Sequence, residues 1–427
     1  MELLAPAGDP RKFQIALDYG ADAVYGGVSH FSLRARSAKE FTIETFAECV
    51  RASHDRGKKI FAAINGFPFN NQIKMLENHL AAMRDAAPDA FIVSSPGVIR
   101  LAKKIAPNMP LHLSTQANAL NTLDCEAYYE MGVRRVIAAR EMSLKDLEAI
   151  KAALPALELE IFLHGSMCFA FSGRCLVSSL QSGRVANRGS CANDCRFPYA
   201  IYAENPETGT LFRVEEREEG TYLFNAKDLK MIARLREIVS SGAVDSVKIE
   251  GRTKSAYYCA CAVRAYRAAL DDIAAGRFDL EFYEAELSTL KNRGYTDGYL
   301  VRRPFERLDT QNFAATQLNG ASEVAAIVDF AGGAGFHSLG KVATGGVYEA
   351  IAPLDKMSVI AEVENEIGKI FRKGSRVFVE FKQIAIAGEA SNAPVKFLDS
   401  IHSGNEKAAL LPAPLPINTF LRTPFQS

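Results

Sequence analysis

Short apolar segments alternate with amphipathic helical patterns over roughly the first 250 residues of the chain. The first segment, residues 3–5, is followed by Asp9 and Pro10, a helix N-cap and a first-turn proline. Seven more segments of strand type follow, at residues 23–27, 59–65, 90–93, 111–114, 135–138, 159–163 and 246–250. Eight strands alternating with helices predict an α/β fold, a (β/α)8 TIM-like barrel that is either complete or imperfect.

The interval between the seventh and eighth segments is far longer than a single crossover requires, so residues of about 164–245 are predicted to be an insertion after strand 7. The pattern changes again beyond residue 307. Segments 324–330, 346–351, 357–363 and 376–381 alternate in polarity or are rich in β-branched residues, with glycine and charged turns between them. We therefore predict a barrel domain over 1–307 and a small all-β, barrel-like C-terminal domain over 308–427.

Composition narrows the possible functions. The 427 residues contain 50 Lys plus Arg and 50 Asp plus Glu, so a nucleic-acid site would have to be a local basic patch. The N-terminus lacks the basic and apolar regions of a signal peptide, and no apolar run is long enough to cross a membrane. We expect a cytoplasmic protein, in which the eight cysteines are reduced and clustered cysteines indicate metal binding or catalysis.

Four of those cysteines, Cys168, Cys175, Cys191 and Cys195, fall in one segment with the spacing Cys-x6-Cys-x15-Cys-x3-Cys. Thiolates suit zinc or an iron–sulfur cluster. Zinc sites usually use two tight knuckles, whereas the first pair here is widely spaced. The spacing favours a [4Fe-4S] cluster, with zinc and unliganded redox thiols as alternatives. The other four cysteines are predicted to lie in the core, and they are Cys49, Cys125, Cys259 and Cys261.

In a TIM-like barrel the active site lies at the carboxyl ends of the strands, and the cysteine segment leaves the end of strand 7. Polar residues at those ends are Tyr25, Asn65, Ser95, Thr115, Gln116, Arg140, Glu141, His164, Glu250 and Arg252. From this set we select Tyr25, Arg140, His164, Glu250 and Arg252 as candidate catalytic residues. Three alternatives stay open. Ser95 and Thr115 could cap helices, His164 could be a satisfied polar group, and Glu250 with Arg252 could form a structural ion pair.

The cysteine segment and its surroundings resemble the collagenase-like peptidase family U32. The family pattern E-x-F-x2-G-[SA]-x-C-x4-[SG]-x-C is met by Glu160, Phe162, Gly165, Ser166, Cys168, Gly173 and Cys175. MELLAPAGD, ADAVYGG, HLSTQAN, RGSCANDCR, NAKDL, KIEGRTKS and RGYTDGYL are also similar to the family. The resemblance extends from residue 1 to about residue 307.

The resemblance implies a function that differs from the family name. Several relatives are RNA or quinone hydroxylation proteins with a [4Fe-4S] cluster, and the branch with NAKDL and KIEGRTKS makes 5-hydroxyuridine at the tRNA wobble position. That branch is implied to act without molecular oxygen, with prephenate as the hydroxyl donor. The four cluster cysteines carry over to Cys168, Cys175, Cys191 and Cys195, of which Cys195 is the position where relatives vary.

For an RNA-modifying enzyme, tRNA is the expected partner and hydroxylation of rRNA or another substrate is the alternative. The basic residues expected to hold phosphates are Arg34, Arg36, Arg174, Arg184, Arg188, Arg196 and Lys254. Tyr25, Phe31 or Phe67 is expected to stack on the base. Arg140 and Arg252 are expected to bind the carboxylates of a small dicarboxylate such as prephenate.

Two further function classes are compatible with the sequence. A U32 peptidase is one, although the sequence contains no HExxH or G-x-S-x-G motif, so its nucleophile would have to be a cysteine acting with His164. An adaptor with a purely structural cluster is the other.

Overall fold

The computed structural model describes residues 1–28, 31–33, 41–214, 225–301, 307–312, 317–386, 396–404 and 407–423. Its contacts divide the chain into two units. The barrel unit comprises residues 1–17, 21–283 and 291–318, and the sheet unit comprises residues 18–20, 284–290 and 319–427.

The barrel unit contains the eight predicted strands, all parallel to their barrel neighbours. The first seven are β1 (Glu2–Pro6), β2 (Ala23–Gly26), β3 (Lys59–Ile64), β4 (Ala90–Val93), β5 (Leu111–Leu113), β6 (Val133–Ile137) and β7 (Glu158–Ser166). The insertion then adds β8 (Ile201–Asn205), β9 (Thr210–Val214) and β10 (Asp228–Lys230), and β11 (Ser246–Ile249) is the eighth barrel strand. Because β11 pairs with both β1 and β7, the barrel is closed. The prediction of a TIM-like barrel is confirmed.

Helices alternate with the barrel strands along the chain, and further helices lie in the insertion and after the eighth barrel strand. They are α1 (Pro10–Asp18), α2 (Ile43–His54), α3 (Ile73–Asp85), α4 (Pro96–Ile105), α5 (Thr122–Glu130), α6 (Leu144–Ala153), α7 (Val177–Ser182), α8 (Leu235–Ser241), α9 (Ala256–Ala274), α10 (Leu280–Ser288) and α11 (Arg307–Thr310). Local signals begin several of them as predicted: Asp9 Oδ1 accepts from Lys12 N at 2.8 Å ahead of α1. None of the helices in the described ranges is both long and apolar enough to cross a membrane.

The insertion also extends the barrel sheet. Strand β10 lies antiparallel to the end of β7, with Lys230 opposite His164, and its other edge pairs with β12 (Tyr295–Thr296). This added pair of strands continues the sheet at the point where strand 7 leaves the barrel. It rests on a buried ion pair between Asp228 and Arg293, in which Arg293 lowers the pKa of Asp228 against the opposing effect of burial.

The sheet unit is antiparallel throughout its described strands. They are β13 (Val324–Ile327), β14 (Gly335–Ser338), β15 (Val342–Ala343), β16 (Val347–Ile351), β17 (Val363–Glu364), β18 (Gly368–Lys373), β19 (Arg376–Phe381), β20 (Ile384–Ile386), β21 (Lys396–Leu398), β22 (Ser400–Ile401), β23 (Ala409–Leu410) and β24 (Phe420–Arg422). Phe336, Val379 and Phe381 lie in its apolar core. The strand predicted at 357–363 is wrong, since only Val363 is in a strand and a 3-10 turn, Leu354–Lys356, precedes it.

Candidate functional site

A cavity lies inside the barrel at the carboxyl ends of the strands, where the fold places active sites. Four of its charged or ionisable lining residues were predicted to be catalytic: Tyr25, Arg140, Glu250 and Arg252. Its remaining walls are Leu33, Ala63, Asn65, Ile92, Ser114, Thr115, Gln116, Ile137, Phe162, Ala186, Cys191 and Lys248. Most of the polar residues predicted at the strand ends therefore line one cavity.

Tyr25 and Glu250 form the hydrogen-bonded part of the cavity wall. The Tyr25 hydroxyl lies 3.0 Å from Glu250 Oε2 and 3.1 Å from the carbonyl of Ile249. Burial, and then the Glu250 charge, raise the pKa of Tyr25 well above its usual value. The phenol thus stays protonated and donates to Glu250 across the neutral pH range.

Three cations face the same cavity. Arg252 is buried, and its Nη1 donates to Ser32 Oγ at 2.6 Å. Arg140 lies over the Phe162 ring at 4.1 Å, and its Nε has no hydrogen-bond partner among the described residues. Lys248 Nζ is held by Glu160 at 2.8 Å and lies 4.1 Å from the centre of the Tyr25 ring. With Glu250 as the one acidic residue in the described lining, the cavity suits an anion.

Lys248 was not among the predicted site residues, although the sequence contains a signal for it. A lysine in the middle of a short apolar strand is unusual, because parallel barrel strands are buried on both faces. Glu160 in β7 and Arg135 in β6 are likewise charged residues within short apolar strands. The three side chains form a buried chain of charge that supports the cavity from below, with Arg135 Nη1 3.2 Å from Glu160 Oε2.

His164 lies outside the cavity lining, despite its prediction as a catalytic residue. Its ring is surrounded by Tyr258, Tyr266 and Tyr295, with centroids 5.7–5.8 Å away, and Nδ1 lies 3.4 Å from the Tyr266 hydroxyl. Burial lowers the pKa of His164 to about 3, so the ring is neutral. This geometry is that of a satisfied core histidine, the alternative left open above.

Two other strand-end residues have different roles. Ser95 caps α4, where its hydroxyl accepts from Val98 N at 3.4 Å. Thr115 lines the cavity and donates to the carbonyl of Ala138 at 3.2 Å, so it does not cap a helix through that hydroxyl. Glu141 is bound to Ser172 of the cysteine segment, whose backbone N donates to Oε1 at 2.8 Å.

The four clustered cysteines are partly exposed, in contrast to the four predicted core cysteines, which are all buried. Among the clustered four, Cys191 reaches the cavity wall, and its sulfur accepts from Asn193 N at 3.4 Å. Burial raises the pKa of Cys195, the Arg196 charge opposes that effect, and the charges of Cys168, Cys191 and Cys175 add to it. The four thiols are thus near neighbours.

Gly165 explains how the cysteine segment leaves the barrel so close to β11. Its φ is +114°, and a Cβ atom there would lie 2.3 Å from the carbonyl oxygen of Glu250. Only glycine accommodates both the backbone conformation and this approach. The end of β7 is therefore held against the cavity residue Glu250.

Four of the seven predicted phosphate-binding residues lie in the cysteine segment. Arg174, Arg184 and Arg188 are exposed, whereas Arg196 is half-buried. Lys254 is also half-buried, and burial lowers its pKa. Arg34 and Arg36 lie outside the described residues. Of the predicted base-stacking residues, Tyr25 and Phe31 are buried, so neither ring presents a free face at the surface.

Residues 8–310 match the family described as Peptidase family U32. The chain belongs to this family. It is 55% identical over 424 residues to "tRNA hydroxylation protein P" of Helicobacter pylori strain J99, covering 99% of this chain and 98% of that protein. It is 40% identical to the Escherichia coli K12 protein of that name, covering 73% and 76%. It is 32% identical to the "23S rRNA 5-hydroxycytidine C2501 synthase" of E. coli K12, covering 71% and 46%.

Proposed function

We propose that this U32 family member is an RNA-hydroxylating enzyme that acts on tRNA and converts the wobble uridine to 5-hydroxyuridine. The observation that carries the proposal is the meeting of Cys191, Arg140, Arg252 and the Tyr25–Glu250 pair in one barrel cavity. The names of the similar H. pylori and E. coli proteins support RNA hydroxylation as the reaction class. Because a base inside a helix is inaccessible, the uridine would enter the cavity from an unpaired loop.

A [4Fe-4S] cluster fits the residues present. Within the described ranges, no three His, Cys, Asp or Glu side chains are placed to hold one metal ion. The neighbouring thiols of Cys168, Cys175, Cys191 and Cys195 instead suit a cluster, in which each thiolate binds a different iron. The N–H of Asn193 directed at the Cys191 sulfur would further stabilise a thiolate ligand. Bound there, the cluster would supply one-electron chemistry at the cavity wall.

The cavity residues have separate tasks in this proposal. Arg140 and Arg252 line the cavity and would bind the carboxylates of prephenate, the proposed hydroxyl donor, because a guanidinium group pairs with a carboxylate through two N–H groups. Lys248 adds positive charge at the cavity floor. The Tyr25 hydroxyl donates to Glu250 and keeps that carboxylate directed along the wall, where it can accept a proton from the substrate.

The geometry gives little support to a peptidase that uses a cysteine with His164. A histidine base must carry a proton during the reaction, yet burial lowers the pKa of His164 to about 3. Its Nδ1 faces Tyr266, and its ring is enclosed by tyrosines.

The decisive experiment is mass spectrometry of tRNA and rRNA nucleosides from a strain that lacks the gene. We expect 5-hydroxyuridine to be absent from tRNA, to return with the wild-type gene, and to stay absent with Cys191→Ala. The Cys49→Ala variant, which alters a buried cysteine outside the segment, is the matched control and should restore the nucleoside. Unchanged wobble uridines would remove tRNA as the substrate, and a loss confined to rRNA would move the proposal to rRNA.

Prephenate dependence has its own test. A strain unable to make prephenate should also lack tRNA 5-hydroxyuridine, and added prephenate should restore it. Purified Arg140→Gln and Arg252→Gln variants should bind prephenate more weakly than wild type in calorimetry. Arg134→Gln, which removes an arginine stacked on Tyr129 away from the cavity, is the control. Equal prephenate affinity in all four proteins would contradict the assignment.

A further inference from the structure

Two exposed phenylalanine rings lie beside the cavity. Phe171 is 50% exposed and Phe69 is 56% exposed, whereas most large apolar side chains of the barrel unit are buried. Exposed aromatic rings next to a site mark a contact surface when they are clustered. The cysteine segment adds to the cluster with Phe169 and Phe197, which are exposed to a similar degree.

Hydrogen bonds tie Phe171 to the cavity rim. Its carbonyl accepts from Asn118 Nδ2 at 3.5 Å. The next residue, Ser172, accepts from the backbone N of Arg140 at 3.3 Å, and Arg140 lines the cavity. The backbone that carries this ring is thus fixed to the same wall that would hold the substrate.

Phe69 is tied to the rim from the β3 side. The Arg188 guanidinium lies 4.5 Å from the centre of its ring. Two residues before Phe69, Phe67 N donates to the carbonyl of Asn187 at 3.4 Å, and the neighbouring Ala186 lines the cavity. Arg188 and Phe69 therefore form a stacked pair next to the cavity opening.

The charge around these rings is positive. Residues 164–200 contain four arginines and one acidic residue, Asp194, which is buried. Arg174 is held with Nε 3.2 Å from the carbonyl of Gln116, itself a cavity residue. Exposed arginines interleaved with exposed aromatics match single-stranded nucleic acid, in which base faces and phosphates are both accessible. A protein partner would not need the excess of positive charge.

We propose that Phe171 and Phe69 stack on the unpaired nucleotides that flank the reacting uridine, while Arg174, Arg184 and Arg188 hold their phosphates. This inference rests on the proposed function, because it takes RNA as the substrate. It adds the surface that selects an unpaired loop: bases in a duplex already stack on each other and offer no free face to the two rings. Selection of the loop would thus occur outside the cavity, before the uridine enters.

The test is fluorescence anisotropy with the cluster-containing protein and a labelled RNA hairpin of the anticodon arm. Phe171→Ala and Phe69→Ala should each weaken hairpin binding about tenfold, within the range found when a base-stacking aromatic is removed. Phe171→Tyr should retain binding because it keeps the ring. Arg188→Ala should weaken binding and lower the slope of log affinity against log salt by about 0.7, as one lost phosphate contact in a single strand does.

Phe397→Ala is the matched control, since Phe397 is 51% exposed and lies in the sheet unit. It should bind the hairpin like wild type, and a fully paired RNA should bind Phe171→Ala, Phe69→Ala and Phe397→Ala equally. Hairpin affinities of Phe171→Ala and Phe69→Ala equal to wild type would overturn the inference. So would unchanged RNA binding together with loss of self-association, which would identify a protein interface. Either result leaves the nucleoside analysis of the deletion strain unaffected, so failure of this inference and failure of the proposed function are distinguishable.

Discussion

Glu160→Gln tests whether the buried charges beneath the cavity stabilise the barrel as a connected group. The Glu160 carboxylate is fully buried and accepts from Lys248 Nζ at 2.8 Å and from Arg135 Nη1 at 3.2 Å. After the substitution, Arg135 keeps its ion pairs with Glu2 at 2.6 Å and with Glu158 at 2.7 Å. Lys248 is therefore the cation that loses its hydrogen-bonded carboxylate.

Removing one partner of a buried ion pair destabilises a protein by about 3–5 kcal/mol. We expect a loss of about 3 kcal/mol, at the lower end of that range, because the lysine can respond by releasing its proton. Burial already lowers the pKa of Lys248, and Glu160 opposes that effect. Without the Glu160 carboxylate, the pKa of Lys248 in the folded protein falls further below its value in the unfolded chain. Lys248 of the variant then binds its proton more strongly in the unfolded chain than in the folded one. The stability lost in Glu160→Gln should therefore shrink as the pH rises toward about 10.4.

Urea denaturation followed by far-UV circular dichroism is the suitable assay, since the chain contains no tryptophan. The double variant Glu160→Gln/Lys248→Met should recover most of the lost stability, because no isolated cation remains in the barrel. Glu380→Gln in the part-exposed pair with Lys369 is the control and should lose less than about 1 kcal/mol. A loss below about 1 kcal/mol for Glu160→Gln, or a double variant that is equally unstable, would refute the reasoning.

Three further outcomes are expected. Burial lowers the pKa of His164 to about 3, so between pH 7 and 5 this histidine is protonated only in the unfolded chain. Over that range the free energy of unfolding of wild type should fall by about 2 kcal/mol more than that of His164→Gln. Equal pH dependence of the two proteins in urea titrations would contradict this. Ser95→Ala should destabilise by about 1 kcal/mol and Ser95→Asn by much less, as thermal melts would show. Anaerobically purified wild type and Cys49→Ala should be brown and Cys191→Ala should not, whereas colourless wild-type protein with tightly held zinc would remove the cluster.

The barrel was predictable because its signals are local. Each strand is a short apolar run, and each of the better-marked helices starts at a residue whose side chain caps its own first turn, as Asp9 and Ser95 do. The strand predicted at 357–363 failed for the same reason. Apolar residues in turns and irregular stretches can have the spacing of a strand when no partner strand is considered.

The polar residues at the strand ends were also largely visible in the sequence, because a TIM-like barrel brings those ends together. The sequence alone did not determine which of them face the cavity. Tyr25 meets Glu250 across 225 residues of chain, and His164 is enclosed by tyrosines from α9 and β12, so their surroundings depend on closure of the barrel and on the added strand β10.

The amino-acid sequence by itself determined the order of strands and helices, the four-cysteine segment and the family to which the chain belongs. Only the tertiary structure decided that Lys248 faces the cavity, that His164 does not, and that Phe171 and Phe69 rather than Tyr25 and Phe31 are exposed beside it. The physical reason is that burial, pKa and exposure are set by neighbours distant in the chain, whereas strand and helix patterns are set by neighbours a few residues away.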